Sequence, residues 1–260
     1  MDKHLFRKFA PVIRSLSAKE LDGAASLYDK LTIAEDQGIR VCYAPFEYIN
    51  ESARVVIAGI TPGHTQMLNA LKEVRRQLDR NTPEDKALKA AKDTGAFSGS
   101  MRPNLTSLLD SIGIQRWLGI RSCDELFGNS AHLVQTTSVL RYPVFVGDKK
   151  NYAGTPNMIR HPLLRDQLTA HFAAEAAALP DAVFVPLGDK VAEALFFLAE
   201  KGSIKRERIL DGLPHPSGAN AERIAYFLGR KERSALSSKT SPDKIDGAKE
   251  KLLRRVRALS

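Results

Sequence analysis

Apolar positions change period repeatedly along the chain, and the changes divide it into alternating strands and helices. Residues 54–60, RVVIAGI, form a short β-branched run that predicts a buried central strand. Residues 182–187, AVFVPL, read the same way and are followed by Gly188 and a helix to about Lys201. Residues 131–146 predict a strand and its exit, and residues 208–213 a short strand leading into Pro214. Helical spacing is expected over 1–35, where Ser17 and Glu20 make a capping-box pattern, and over 66–80, 105–112 and 161–178. Residues 81–95 read as a polar, charged stretch. Residues 147–162, rich in Gly, Pro, Asn and Lys, read as a long loop. Residues 231–241 are Ser- and Lys-rich, as in a linker. Residues 242–259 then predict a basic amphipathic helix with Ile245, Ala248, Leu252, Val256 and Leu259 on one stripe, placed to dock on the body or, alternatively, to lie as an arm on DNA.

Strands that alternate with helices predict an α/β fold of three layers, α/β/α, around a central, mostly parallel, four-stranded sheet. The expected organisation is one α/β domain over 1–230 and a basic linker and helix over 231–260. Ligands of such sheets gather outside the carboxyl ends of the strands. The informative segments fall there, after Ile60, Val134, Leu187 and Leu213.

Composition narrows the class. The chain has 260 residues, 43% apolar and 27% charged, which suits a globular protein with a sizeable core. Its net charge of +9 favours an anionic partner. Residues 231–260 hold nine Lys or Arg against four Asp or Glu. Cys42 and Cys123 stand far apart, which argues against a disulfide framework, a zinc ribbon or an iron–sulfur cluster and fits a reducing compartment. No metal-ligand spacing and no cofactor motif is visible. The N-terminus lacks a signal-peptide core, and no apolar run is long enough for a membrane span. A soluble, cytoplasmic monomer is expected.

Two segments carry candidate chemistry. After the first central strand comes Gly59-Ile60-Thr61-Pro62-Gly63-His64. After the last comes His215-Pro216-Ser217-Gly218-Ala219-Asn220. Each is a modest signal alone. In this order, about 150 residues apart, they resemble motifs A and B of the uracil-DNA glycosylase superfamily. The text between them supports the match. Gly95-Ala96-Phe97-Ser98 with Arg102-Pro103-Asn104-Leu105 resembles the segment supplying a base-stacking Phe, and residues 183–188 resemble the strand before motif B. The loop from Lys149-Lys150-Asn151 to Thr155-Pro156 is similar to the branch that includes the single-strand-selective enzymes. The resemblance covers about residues 50–230.

The resemblance implies excision of uracil from DNA by hydrolysis of the N-glycosidic bond, after the base is flipped into a fitted pocket. His215 would donate a hydrogen bond to the departing base as negative charge develops on it. Phe97 would stack on the base, with Ile60 and Gly63 lining the pocket. Thr136 by alignment, or Gln135 by the chemistry of its amide, would read the base edge; strand alternation sends the two to opposite faces. Pro62, His64, Arg102, Lys149, Lys150, Ser217, Gly218, Ala219 and Asn220 would meet DNA, although Ser217 also reads as a cap for the helix beginning near Ala221.

Three positions depart from the uracil-specific pattern. Thr61 replaces the Asp that orients water, so either leaving-group stabilisation carries the reaction, or another group, such as His64, compensates, or the protein binds without cutting. Gly63 replaces a bulky Tyr and leaves space at the base C5 unless another side chain fills it. Ala219 replaces a Leu wedge, a task open to Arg102, Arg141 or the 147–162 loop. No Lys lies in either motif, so a monofunctional, metal-independent enzyme is expected. The alternatives are a non-catalytic binder of uracil-containing or abasic DNA, and an α/β enzyme acting on free nucleotides.

Overall fold

The computed structural model describes residues 3–95, 101–147 and 149–259. Seven short strands form among them: β1 (Thr32–Asp36), β2 (Ile39–Cys42), β3 (Val55–Gly59), β4 (Val134–Ser138), β5 (Val144–Val146), β6 (Lys150–Asn151) and β7 (Val183–Pro186). The chain divides into two compact units. The first is built from 1–49, 60–96 and 137–178, the second from 50–59, 97–136 and 179–260. The chain is of the α/β class.

In the first unit, β1, β2, β5 and β6 form an antiparallel sheet in that order. Helix was expected to run through residue 35, but Thr32–Asp36 is a strand. The cause is the turn that follows. Gln37 and Gly38 both take positive φ, 48° and 76°, which is the two-residue geometry that folds a strand back on itself, and Asp36 pairs with Ile39 across it. The Ser17–Glu20 capping box forms as expected, with the Ser17 hydroxyl accepting from Glu20 N and the Glu20 carboxylate accepting from Ser17 N. Residues 81–95, expected as a charged connection, hold the helix Glu84–Gly95. It begins after Pro83 and buries Ala87, Leu88 and Ala91 along one side. The helix expected at 161–178 forms, with a π-turn at Leu168–Phe172 that keeps both of those side chains buried. The loop expected over 147–162 contains the two-residue strand β6.

The second unit contains a three-stranded parallel sheet in the order β4-β3-β7. Val55, Val56, Ile57 and Ala58 pair in register with Val183 to Pro186, and all eight are buried on both faces, the usual state of a parallel sheet. The four-stranded expectation is corrected here. The segment 208–213 contributes only one bridge, Ile209 to Phe184, with Leu210 N donating to Phe184 O. A 3₁₀ turn at Arg206–Arg208 precedes that bridge. Gly212, at φ +115°, follows it and turns the backbone out of extended geometry before a ladder can build.

The helix Pro242–Arg257 packs by the stripe seen in the sequence. Leu252 and Val256 enter the core with Ile112, Ile114, Leu210 and Phe227, and Ile245 and Leu259 pack at its margin. Ala248 meets the backbone at Gly212, where a Cβ would come within 3.0 Å of it. The residues before this helix are fastened to the helix Ala221–Phe227. Glu222 accepts hydrogen bonds from Ser237 N, Ser237 Oγ and Thr240 Oγ1 and pairs with Lys231 at 2.8 Å. No helix among the described residues is long and apolar enough to cross a membrane.

Candidate functional site

In the second unit, the chain leaves Ile209, turns at Gly212 and Pro214, and delivers His215 ahead of the 3₁₀ turn Gly218–Asn220. The geometry of His215 fixes its chemistry. Ser217 N donates to His215 Nδ1 at 3.2 Å, and a main-chain N–H can only donate, so Nδ1 carries no proton. The neutral ring therefore holds its proton on Nε2. The Ser217 hydroxyl lies 3.0 Å from the same Nδ1 and must donate to it as well. Burial pushes the imidazole below the ordinary histidine value, so the neutral form prevails at pH 7.

A relay stands behind this contact. Asn220 Nδ2 donates to Ser217 Oγ at 3.2 Å, and Arg223 donates to Asn220 Oδ1 at 3.2 Å. A guanidinium has no acceptor, so Arg223 sets which end of the Asn220 amide faces Ser217. That in turn leaves the serine proton for His215. The loop is also held from the helix Met101–Ser111, where Asn104 Nδ2 donates to Pro216 O at 2.9 Å. Gly188, at φ +100° after β7, lies against the ring; a Cβ there would sit 3.6 Å from His215 Cδ2. Asn104 and Gly188 belong to segments whose sequence resemblance is visible, yet their support of His215 appears only in the fold.

Ser217 does not cap the helix Ala221–Phe227, because its hydroxyl is turned onto His215; Asn220 is the residue before that helix. Gly218 and Ala219 are exposed. On β4, Gln135 is 2% exposed, and its amide oxygen accepts from Asn50 N at 3.0 Å. Thr136, on the opposite face, is half-buried. Arg102 lies over the Phe127 ring at 4.8 Å. Phe97 falls outside the described residues.

In the first unit, motif A runs from Ile60 into the helix His64–Asp79. Ile60 O accepts from Leu140 N at 3.0 Å. The Thr61 hydroxyl donates to Tyr142 O at 3.1 Å and accepts from Val144 N at 3.0 Å. Its one proton and one of its lone pairs are thus spent on clasping the start of β5, which leaves no proton with which to hold water. Pro62 is buried. Gly63 N donates to Gln66 Oε1 at 2.8 Å, and His64 N donates to Asn151 Oδ1 at 3.1 Å, so two leading N–H groups of this helix are already capped. The His64 ring stacks on Tyr28, with centroids 6.0 Å apart.

The space opened by Gly63 is not empty. A Cβ at this position would lie 3.4 Å from Asn151 Nδ2 and 3.8 Å from Gln66 Oε1. Asn151 ends β6, and its neighbours Lys149 and Lys150 are exposed. Lys149 takes a positive φ of 68° and stands 5.0 Å over the Tyr28 ring. Arg141, one of the wedge candidates, is corrected: it is buried, pairs with Glu175 at 3.1 Å and donates to His171 O. A buried guanidinium committed to a carboxylate cannot enter a base stack.

Beneath the Thr61 clasp lies a buried polar group that sequence reasoning missed. Tyr142 OH donates to Glu47 Oε1 at 3.2 Å, and Glu47 is 1% exposed. Burial raises its carboxyl to about 7, against the pull of Tyr43, Tyr142 and Arg141. Lys92 and Glu175, 3.6 Å apart and both buried, complete the group. Nothing in the residue pattern around Glu47 distinguishes it from a surface carboxylate.

Fold and side chains together define an α/β protein whose half-buried, neutral histidine is presented by a His-Pro-Ser turn. The Bacillus subtilis (strain 168) protein named "Uncharacterized protein YoxB" is 34% identical to it over 254 residues, covering 96% of this chain and 98% of that protein. The chain belongs to the same family as YoxB. No family model matches the sequence, and no solved structure matches the fold. Among the described residues no group of three or more His, Cys, Asp or Glu is arranged to hold a metal ion.

Proposed function

We propose that this chain is a monofunctional DNA glycosylase of the uracil-DNA glycosylase type, acting on uracil in DNA. The observation that carries the reading is the state of His215: neutral, with Nδ1 filled by Ser217 and the Nε2 proton left to donate. Breaking the bond between a base and C1′ leaves negative charge on the base and positive charge on the sugar. A fixed N–H aimed at the developing anion, in a site partly shielded from water, lowers that barrier without any proton being transferred. Water then adds to the sugar cation at C1′ and gives its proton to the solvent or the departing base, leaving an abasic site. Removing one donor of this kind typically costs about 10²- to 10³-fold in rate.

Thr61 sharpens the mechanism. With its hydroxyl proton bound to Tyr142 O, motif A supplies neither a carboxylate nor a free hydroxyl proton to orient water. In this reading the sugar cation captures a weakly ordered water, and leaving-group stabilisation carries the catalysis. The net charge of +9 supports attraction to a polyanion.

The same Thr61 contact favours a second reading, a protein that recognises uracil-containing DNA without cutting it. One experiment separates the two. A labelled oligonucleotide with a single uracil, single- or double-stranded, is incubated with wild type or His215→Ala and then treated with alkali. Cleavage by wild type that falls at least 100-fold in the variant supports the glycosylase. Selective binding without cleavage supports the binder, and neither cleavage nor selective binding rejects both.

A further inference from the structure

The second unit contains a cavity of about 330 Å³ that motif B does not use. Its floor is aliphatic, from Ile112, Val256, Leu253 and Leu259, and Trp117 forms part of its wall. Its polar surroundings are unbalanced. Arg116 and Arg257 line it and are exposed, and among the described residues neither has a carboxylate within ion-pair distance. The one acidic residue in the lining, Asp110, is already engaged: Oδ2 accepts from Ser122 Oγ at 2.7 Å, and Oδ1 accepts from Cys123 N at 2.7 Å. A third guanidinium, that of Arg54, stacks 4.4 Å from the centre of the Trp117 ring. The field around the cavity is therefore positive, while its floor is apolar.

We propose that this cavity binds a small amphipathic anion: a compact apolar body that fills the aliphatic floor beside Trp117, and one carboxylate or phosphate monoester held by Arg116 and Arg257. Two guanidinium groups free of competing carboxylates suit such a headgroup, because each presents a planar pair of N–H donors to oxygen anions. The volume lies at the small end of the range for ligand sites, which limits the body to about the size of an arylnaphthalene or a medium-length alkyl chain. The proposal does not depend on the glycosylase reading.

Trp117 is the only tryptophan in the chain, so its emission arises beside this cavity. The test titrates the full chain with anilinonaphthalenesulfonate and follows energy transfer from Trp117. It repeats the titration with N-phenylnaphthylamine, which has a similar ring body and no charge. Single-site saturation is expected, with the neutral probe about tenfold weaker or worse. In an Arg116→Ala/Arg257→Ala variant, whose changes are at exposed positions, affinity for the anion should fall about tenfold while affinity for the neutral probe holds. Displacement by decanoate assigns a carboxylate ligand, and displacement by 1-naphthyl phosphate assigns a phosphate monoester. The proposal is overturned if Trp117 transfers no energy, if both probes bind equally well, if the double variant binds like wild type, or if neither competitor displaces the probe.

Discussion

Replacing Thr61 by valine keeps the shape of the side chain and removes its hydroxyl. In wild type that hydroxyl accepts from Val144 N at 3.0 Å and donates to Tyr142 O at 3.1 Å. The variant strands one main-chain donor and one acceptor at the start of β5, in a partly buried place. A stranded group that stays buried costs about 1–3 kcal/mol, so with partial access to water the pair should cost about 2 kcal/mol in all. For a protein of this size that lowers the thermal midpoint by about 4–8 °C. The chemical step of the proposed glycosylase should respond differently. If Thr61 is a structural clasp, single-turnover release of uracil, measured well below the midpoint, stays within about threefold of wild type. If Thr61 orients the attacking water, the rate falls by about 10²- to 10³-fold, as for loss of other well-aimed groups. A fall of that size with an unchanged midpoint would refute the clasp. Thr61→Ser, which keeps both hydrogen bonds, should match wild type in both measurements.

Three further predictions rest on other contacts. Glu47 has its carboxyl raised from 4.5 to about 7, so the folded state favours the protonated form; its contribution is full below pH 4.5 and fades as pH rises through 7. Glu47→Gln, permanently neutral, should equal wild type near pH 4 and exceed it by up to about 3 kcal/mol at pH 8 in denaturant titrations, and parallel curves would show that Tyr43, Tyr142, Arg141, Lys92 and Glu175 already offset the charge. Asn220→Ala removes a donor to Ser217 Oγ while Ser217 N still donates to Nδ1, so nitrogen NMR should show His215 keeping its Nε2–H form, and the acid limb of any activity profile should move to higher pH as the serine hydroxyl loosens; appearance of the Nδ1–H form would show that the hydroxyl, not Ser217 N, sets the tautomer. Gly188→Ala should cost about 1–3 kcal/mol of stability from backbone strain at φ +100°, while the 3.6 Å contact leaves the His215 ring in place; an unchanged midpoint would count against the strained backbone.

The period of the apolar residues and the punctuation between them were enough to read most elements. β3, β7, the capping box at Ser17 and the docked stripe of the C-terminal helix follow from local pattern, because burial on both faces or along one stripe leaves a periodic mark. The two candidate motifs were legible for a related reason: a tight turn after a strand needs particular residues in adjacent positions. The β1–β2 hairpin was not legible, since its turn is Gln37-Gly38 rather than a familiar Asn-Gly or Asp-Gly pair. The missing fourth strand turned on a positive φ at Gly212, which residue identity permits but does not require.

Side-chain partnership was decided by tertiary structure alone. The sequence put Thr61, Gly63 and His215 in plausible places. It could not show that Thr61 is spent on β5, that Asn151 fills the space beside Gly63, or that Arg141 is buried against Glu175. Nor could it show that Arg223, Asn220 and Ser217 act in series on one ring nitrogen. Half of these contacts join residues tens of positions apart, and all depend on distances of a few tenths of an ångström and on which groups lose water. A one-dimensional pattern records which residues prefer burial. The proton held by a histidine, and the partner that holds it there, are set by three-dimensional proximity.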